Sequence, residues 1–167
     1  MELMEPYDRR IWRWWVMSYI ISKSHDAIQI KSQDDDSESP SIATVNKELL
    51  CFYSPYYTAA IKGSFSECHK KVFTLRLSAL QTQMFVEWLY IGRYEYVSPQ
   101  NDDIHMCALY ILADQTDIIA LRRTIMARMR FCYRPMTPGL MVRTVSQLPG
   151  GSGLRRYLLE EAVAEQM

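Results

Sequence analysis

Apolar and polar residues change period several times along this chain, and the changes divide it into elements. From Asp26 to Lys31 the run DAIQIK alternates apolar and polar, the period of a half-buried strand. Ser32 to Pro40 is polar and acidic, a solvated loop. Ser41 to Val45 reads as a second strand, so the first two strands form a hairpin with a long acidic tip. A helix Lys47 to Phe52 follows, with Asn46 able to cap it because a side-chain oxygen can accept from the free amides of a first turn. Ser54-Pro55 starts the next helix, serine as N-cap and proline at the first helical position. Gly63 is expected to end that helix in a left-handed conformation. Lys71 to Leu77 alternates again, with Phe73, Leu75 and Leu77 on one face. Ser78 with Gln81 makes a capping box for a helix carrying Leu80, Met84, Phe85, Trp88 and Leu89, closed by Gly92.

Helical periodicity then dominates. One helix opens at Asp102 or Asp103 and runs through Ile104, Ala108, Ile111 and Leu112. After a break at Gln115-Thr116-Asp117 a second carries Ile118, Leu121, Ile125 and Met129. Arg122, Arg123, Arg128 and Arg130 fall off that apolar stripe and read as a solvated face. Thr137-Pro138 and Ser152 are placed to cap two closing helices, 138–146 and 152–166. A few early strands followed by helix pairs make the fold class α+β: a small early β-sheet flanked by a cluster of short helices, with additional C-terminal helices.

Composition narrows the picture. The 167 residues suffice for one core, and 49% of them are apolar. Lys+Arg and Asp+Glu balance at 19 each, so the chain as a whole has no electrostatic attraction to nucleic acid or anionic membrane. The second half is nevertheless basic, and Asp34, Asp35, Asp36 and Glu38 concentrate negative charge in the hairpin tip. Cys51, Cys68, Cys107 and Cys132 are widely spaced, a pattern of free thiols in a reducing compartment, which implies an intracellular location in cytoplasm or nucleus. Residues 11–21, IWRWWVMSYII, are apolar but short and interrupted by Arg13. They are expected to be neither a membrane helix nor an export signal, since a span needs about 20 apolar residues. An aromatic helix on the domain or on a partner, or a loose extension, remains for them.

Chemistry-bearing patterns are sparse. Cys68-His69 and His105-Met106-Cys107 are close pairs without the spacing of a metal site, and the acidic tip lacks the glycine and distal glutamate of a calcium loop. Gly150-Gly151-Ser152-Gly153 lacks the ending of a phosphate-binding loop. No nucleophile has a histidine placed beside it by a motif. The expectation is a non-enzyme with no catalytic residues, metal or cofactor.

With the elements placed, the segment from about Asp26 to Met129 resembles a BTB/POZ domain, most closely the short form of fungal proteins. The residues that carry the resemblance are Val45-Asn46-Lys47, Leu50, Ser54-Pro55-Tyr56-Tyr57, Ala59-Ala60, Gly63, Phe65-Ser66-Glu67, Trp88-Leu89-Tyr90-Ile91-Gly92 and Leu109-Tyr110-Ile111-Leu112-Ala113-Asp114. Asn46 stands where the family usually has histidine, and the long acidic loop and aromatic N-terminus are further departures. The resemblance implies a non-enzymatic protein-interaction module that forms homo- or hetero-oligomers, a homodimer first among them. It divides the chain into an aromatic extension over 1–22, the domain over 23–133 and a helical tail over 134–167. It implies that Asp26 and Lys47 are a charged pair near a dimer interface, an ordinary exposed ion pair being the alternative. Phe65 and Glu67 match a hydrophobic-x-acidic motif that some members use to dock a cullin scaffold; alternatively Phe65 packs inside and Glu67 is solvated. Trp12, Trp14 and Trp15 are of the residue type favoured at interface hot spots. Two narrower functions stay open: a substrate adaptor for a cullin-based ubiquitin ligase, and a nucleic-acid-associated regulator using the arginine-rich helix 117–131.

Overall fold

The computed structural model describes residues 16–33, 40–63, 71–92, 102–131 and 136–164. Within them the architecture is α+β, a three-stranded sheet against a larger set of helices. Residues 16–23 are helical (α1). Strands β1 (Ala27–Ser32) and β2 (Ile42–Asn46) lead into α2 (Lys47–Tyr53) and α3 (Pro55–Lys62). Strand β3 (Val72–Leu75) precedes α4 (Ala79–Ile91), α5 (Asp102–Gln115), α6 (Ile119–Phe131), α7 (Pro138–Gln147) and α8 (Gly153–Ala164).

The sheet order is β2-β1-β3. β1 and β2 form the expected antiparallel hairpin, with Ile28 opposite Val45 and Ile30 opposite Ala43. β3 adds to the other side of β1 in parallel, with Ile30 beside Phe73. That leaves β1 central and both neighbours at edges. Alternation does what its period demands: Ile28, Ile30 and Val45 point inward and are buried, while Gln29 and Thr44 face solvent. Helix α4 packs on β1 and β2, burying Met84, Phe85, Trp88 and Leu89. Each such side chain contributes about 1.5–3 kcal/mol by leaving water. The core extends through Leu49 and Leu50 of α2 to Leu109, Ala113, Leu121 and Ile125 of the α5–α6 pair. Met17 of α1 joins this core, and its sulfur accepts from the Tyr53 hydroxyl.

The local signals for helix starts hold at three places. Asn46 Oδ1 accepts from Leu49 N at 3.0 Å, and Asn46 Nδ2 donates to Ser24 C=O at 2.8 Å, tying the hairpin base to the cap. Ser54 Oγ accepts from Tyr57 N, and Pro55 sits in the first turn. Ser78 and Gln81 form the complete capping box. At the C-terminal end of α4, Gly92 is left-handed, φ 78°, and its N–H donates to Trp88 C=O. There a Cβ would be strained.

Four local expectations are corrected. Gly63 is extended (φ −76°, ψ 176°), not left-handed. Its N–H still closes on Ala59 C=O, so the helix ends without a reversal of the chain. Leu80 lies outside the buried stripe of α4 at 37% exposure. Thr137 precedes α7 but makes no side-chain cap bond. Ser152 precedes α8, yet its buried hydroxyl has no partner. The amide of Leu154 instead donates to the Tyr110 phenol oxygen of α5 at 3.2 Å, so a side chain from another helix replaces the local cap.

Candidate functional site

An open cleft of about 460 Å³ lies where α3, β3, α5 and α7 meet. Its α3 wall is aromatic. Tyr56 is half exposed and meets Tyr57 edge-on at 5.2 Å, and Tyr57 meets Phe73 of β3 edge-on at 5.4 Å. Such edge-to-face pairs add about 0.5–1.5 kcal/mol beyond area burial, so the three rings make a stiff wall. The burial of Tyr57 pushes its phenol far above the ordinary range, so it is neutral at physiological pH. The opposite wall is Ile104, Ala108 and Ile111 of α5 with Leu140 of α7; Ile104 is 48% exposed.

The position of α3 that aims these rings follows from Ser54. Its hydroxyl caps α3 and also donates to Thr116 C=O in the α5–α6 turn. One buried atom therefore sets α3 against α5, the two helices that flank the cleft. Thr58 Oγ1 lies 2.8 Å from Cys51 C=O and 3.0 Å from Ser54 C=O and shares its one proton between them, tying α2 to α3.

The polar rim is basic. Arg76 and Arg143 line the cleft and are exposed. Among the described residues their guanidinium groups have no ion pair, and no described carboxylate or histidine belongs to the lining. Cys107 opens onto the cleft from α5 with its thiol nearly covered. Burial pushes that thiol up to about 11, and the charge of Asp103 adds to the effect against a hydrogen bond with Thr144. It is protonated at neutral pH and so a poor nucleophile.

The residues that the sequence singled out fare differently. Asp26 and Lys47 do meet: Nζ to Oδ2 is 3.7 Å, and Lys47 N–H donates to Asp26 C=O at 2.9 Å. The ion pair is largely exposed on the aspartate side and worth about 0–1 kcal/mol; it lies at the hairpin base and is not part of the cleft lining. Phe65, Glu67, Trp12, Trp14 and Trp15 fall outside the described residues, as do the acidic tip, Cys68, His69 and Cys132. Cys51 and Cys107 are free and buried, as expected.

The reading of the α6 arginines as one solvated face is corrected. Arg122 donates to Asp114 at 2.9 Å and to Asp117 at 2.8 Å. Arg128 pairs with the buried Asp102 through Nε at 3.0 Å and Nη2 at 2.9 Å. Only Arg123 and Arg130 of the four are exposed. The acidic partners sit on α5 and its following turn, far enough along the chain that periodicity within α6 could not reveal them.

The cleft itself was missed by sequence reasoning. Phe73 and Ile104 read as members of the apolar stripes of their own elements and Tyr56 as part of the stacked helix pair, so nothing in the sequence set them apart as one surface. Among the described residues no group of three or more His, Cys, Asp or Glu is placed to hold a metal ion, and no helix is long and apolar enough to cross a membrane. Neither the protein-family models nor the curated proteins compared with this chain match it.

Proposed function

We propose that this chain is a non-enzymatic protein-interaction module of the BTB/POZ type that self-associates as a homodimer and acts inside the cell, in cytoplasm or nucleus. The observation that carries the reading is the open cleft: an aromatic wall, an aliphatic wall and a rim of two arginines without acidic neighbours among the described residues. Apolar walls with a polar, charged rim are what protein recognition uses, and the thiol it contains is held protonated. The order of elements supports the family part of the reading. A hairpin runs through the Asn46 cap into a stacked helix pair, a strand returns beside β1, and a capping box opens the next helix.

Self-association is tested by sedimentation equilibrium from low to high micromolar concentration. A dimer of standard size would bury about 1,600 Å²; a strict monomer throughout the range overturns the dimer. Asp26→Lys tests whether the Asp26–Lys47 pair lies at that interface, since reversing a charge there raises the dissociation constant, whereas at a free surface it does not.

A narrower reading, adaptor for a cullin scaffold, draws on one observation: the segment bearing Phe65 and Glu67 joins α3 to β3, and both elements border the cleft. Pull-down of a cullin by the wild type and not by Glu67→Lys supports it, and equal or absent binding removes it. The nucleic-acid reading loses support from the pairing of Arg122 and Arg128.

A further inference from the structure

The cleft runs along an edge of the sheet. Phe73 and Leu75 point to one face of β3 and Thr74 to the other, yet all three border the cleft, as does Arg76 just past the strand. A space touched by three consecutive strand residues, which alternate between the two faces, lies beside the strand and not over one of its faces.

The main-chain groups on that side have no partner among the described residues. Gln29 N–H donates to Lys71 C=O and Gln33 N–H to Leu75 C=O, and the β1–β3 register is parallel. Bonding alternates residue by residue in such a ladder, so residues 71, 73 and 75 direct their amides and carbonyls toward β1. The N–H and C=O of Thr74, the C=O of Val72 and the N–H of Arg76 therefore point away from it. β3 ends the sheet, and no described strand pairs with it there. Edges of this kind are usually blunted by proline or an inward charge, and β3 has neither.

We propose that an extended acidic peptide of a partner protein adds to the outer edge of β3 as a fourth strand. The inference rests on the protein-interaction reading above and names the class of partner. Main-chain bonds to Thr74 would supply register, and alternate side chains would supply selectivity. One set would lie against Tyr56, Ile104 and Leu140. The other would bring carboxylates to Arg76 and Arg143, whose guanidinium groups have no acidic partner among the described residues; charge-assisted bonds to a carboxylate are the strong kind. The balance of charge selects acidic over basic peptides.

The full chain is used to select from displayed random heptapeptides, with counter-selection on the Arg76→Glu/Arg143→Glu variant. Selected sequences are measured by fluorescence anisotropy and by amide exchange. The expected result is enrichment of proline-free peptides carrying one or more carboxylates. Their binding slows exchange at Thr74 and Arg76, weakens about tenfold or more in the double charge reversal, and is lost in Thr74→Pro. That proline removes an outward amide and no bond to β1, so the sheet keeps its ladder. The charge-reversed variant, altered only at exposed positions, keeps the test decisive if Thr74→Pro melts early. No enrichment, or peptides that bind without regard to the two arginines and without protecting Thr74, overturns the proposal. Failure here with a dimer still present in solution removes the edge-strand site alone; a monomer that nevertheless binds such peptides removes the dimer alone.

Discussion

Ser54→Ala is expected to be the most destabilising single-atom change at the base of the cleft. The hydroxyl is fully buried and acts twice, accepting from Tyr57 N and donating to Thr116 C=O. Losing an N-cap costs about 1 kcal/mol, in a range of roughly 0.5–2. Thr116 C=O receives no other hydrogen bond among the described residues, and leaving a buried acceptor unsatisfied costs about 1–3 kcal/mol. The two losses together come to about 3 kcal/mol, which for a chain of this length lowers Tm by roughly 6–12 °C. Urea unfolding followed by tryptophan fluorescence measures it, because Trp88 sits in the same core. The midpoint should fall with the slope unchanged. Asn46→Ala serves as the comparison: it also removes a cap and a bond to a carbonyl, Ser24 C=O, but in a half-buried setting, and should cost about 1–2 kcal/mol. A loss below about 1 kcal/mol for Ser54→Ala, or below that of Asn46→Ala, would refute the claim that one hydroxyl carries both the cap and the α3–α5 link.

Three further outcomes are expected. Arg128→Met leaves the Asp102 carboxylate, only 4% exposed, without its ion-pair partner, and should cost about 3 kcal/mol in the same unfolding assay, as breaking a buried pair does. Cys107 has its thiol raised from 9.0 to about 11 by burial. The unfolded chain therefore releases this proton first, so the contribution of Cys107 to stability is constant below pH 9 and falls by about 2 kcal/mol by pH 11. Cys107→Ala should remove that share and leave a shallower alkaline limb in melts recorded across the range, the remainder coming from Cys51 and Tyr57, which burial also raises. Tyr110→Phe removes the acceptor of Leu154 N–H and should cost about 1–3 kcal/mol, with amide exchange at Leu154 accelerating more than in α4; equal acceleration everywhere would contradict a local role for the phenol.

The pattern of the sequence determined the local structure of this protein wherever the cause lies within a few residues. Asn46, Ser54 and the Ser78–Gln81 box are caps because the accepting atom and the free amides are three positions apart, and Gly92 closes α4 in a left-handed conformation because it lacks a Cβ. Alternation in DAIQIK was enough to bury Ile28 and Ile30. The same reasoning failed at Ser152 and at the α6 arginines, where the partner comes from another element: Tyr110 lies 44 residues before Leu154, and Asp102 lies 26 before Arg128. Gly63 failed for a different reason, since glycine permits a left-handed turn but does not require one. Tertiary structure alone decided the order β2-β1-β3, and with it that β3 is an edge. It also decided that α7 returns beside α5 to close a cleft along that edge. Neither has a periodicity to betray it, because strand order and helix docking are settled by which apolar faces bury one another. Short-range hydrogen bonding could thus be read from residue spacing, while the surface that would meet a partner came into being only when distant elements packed.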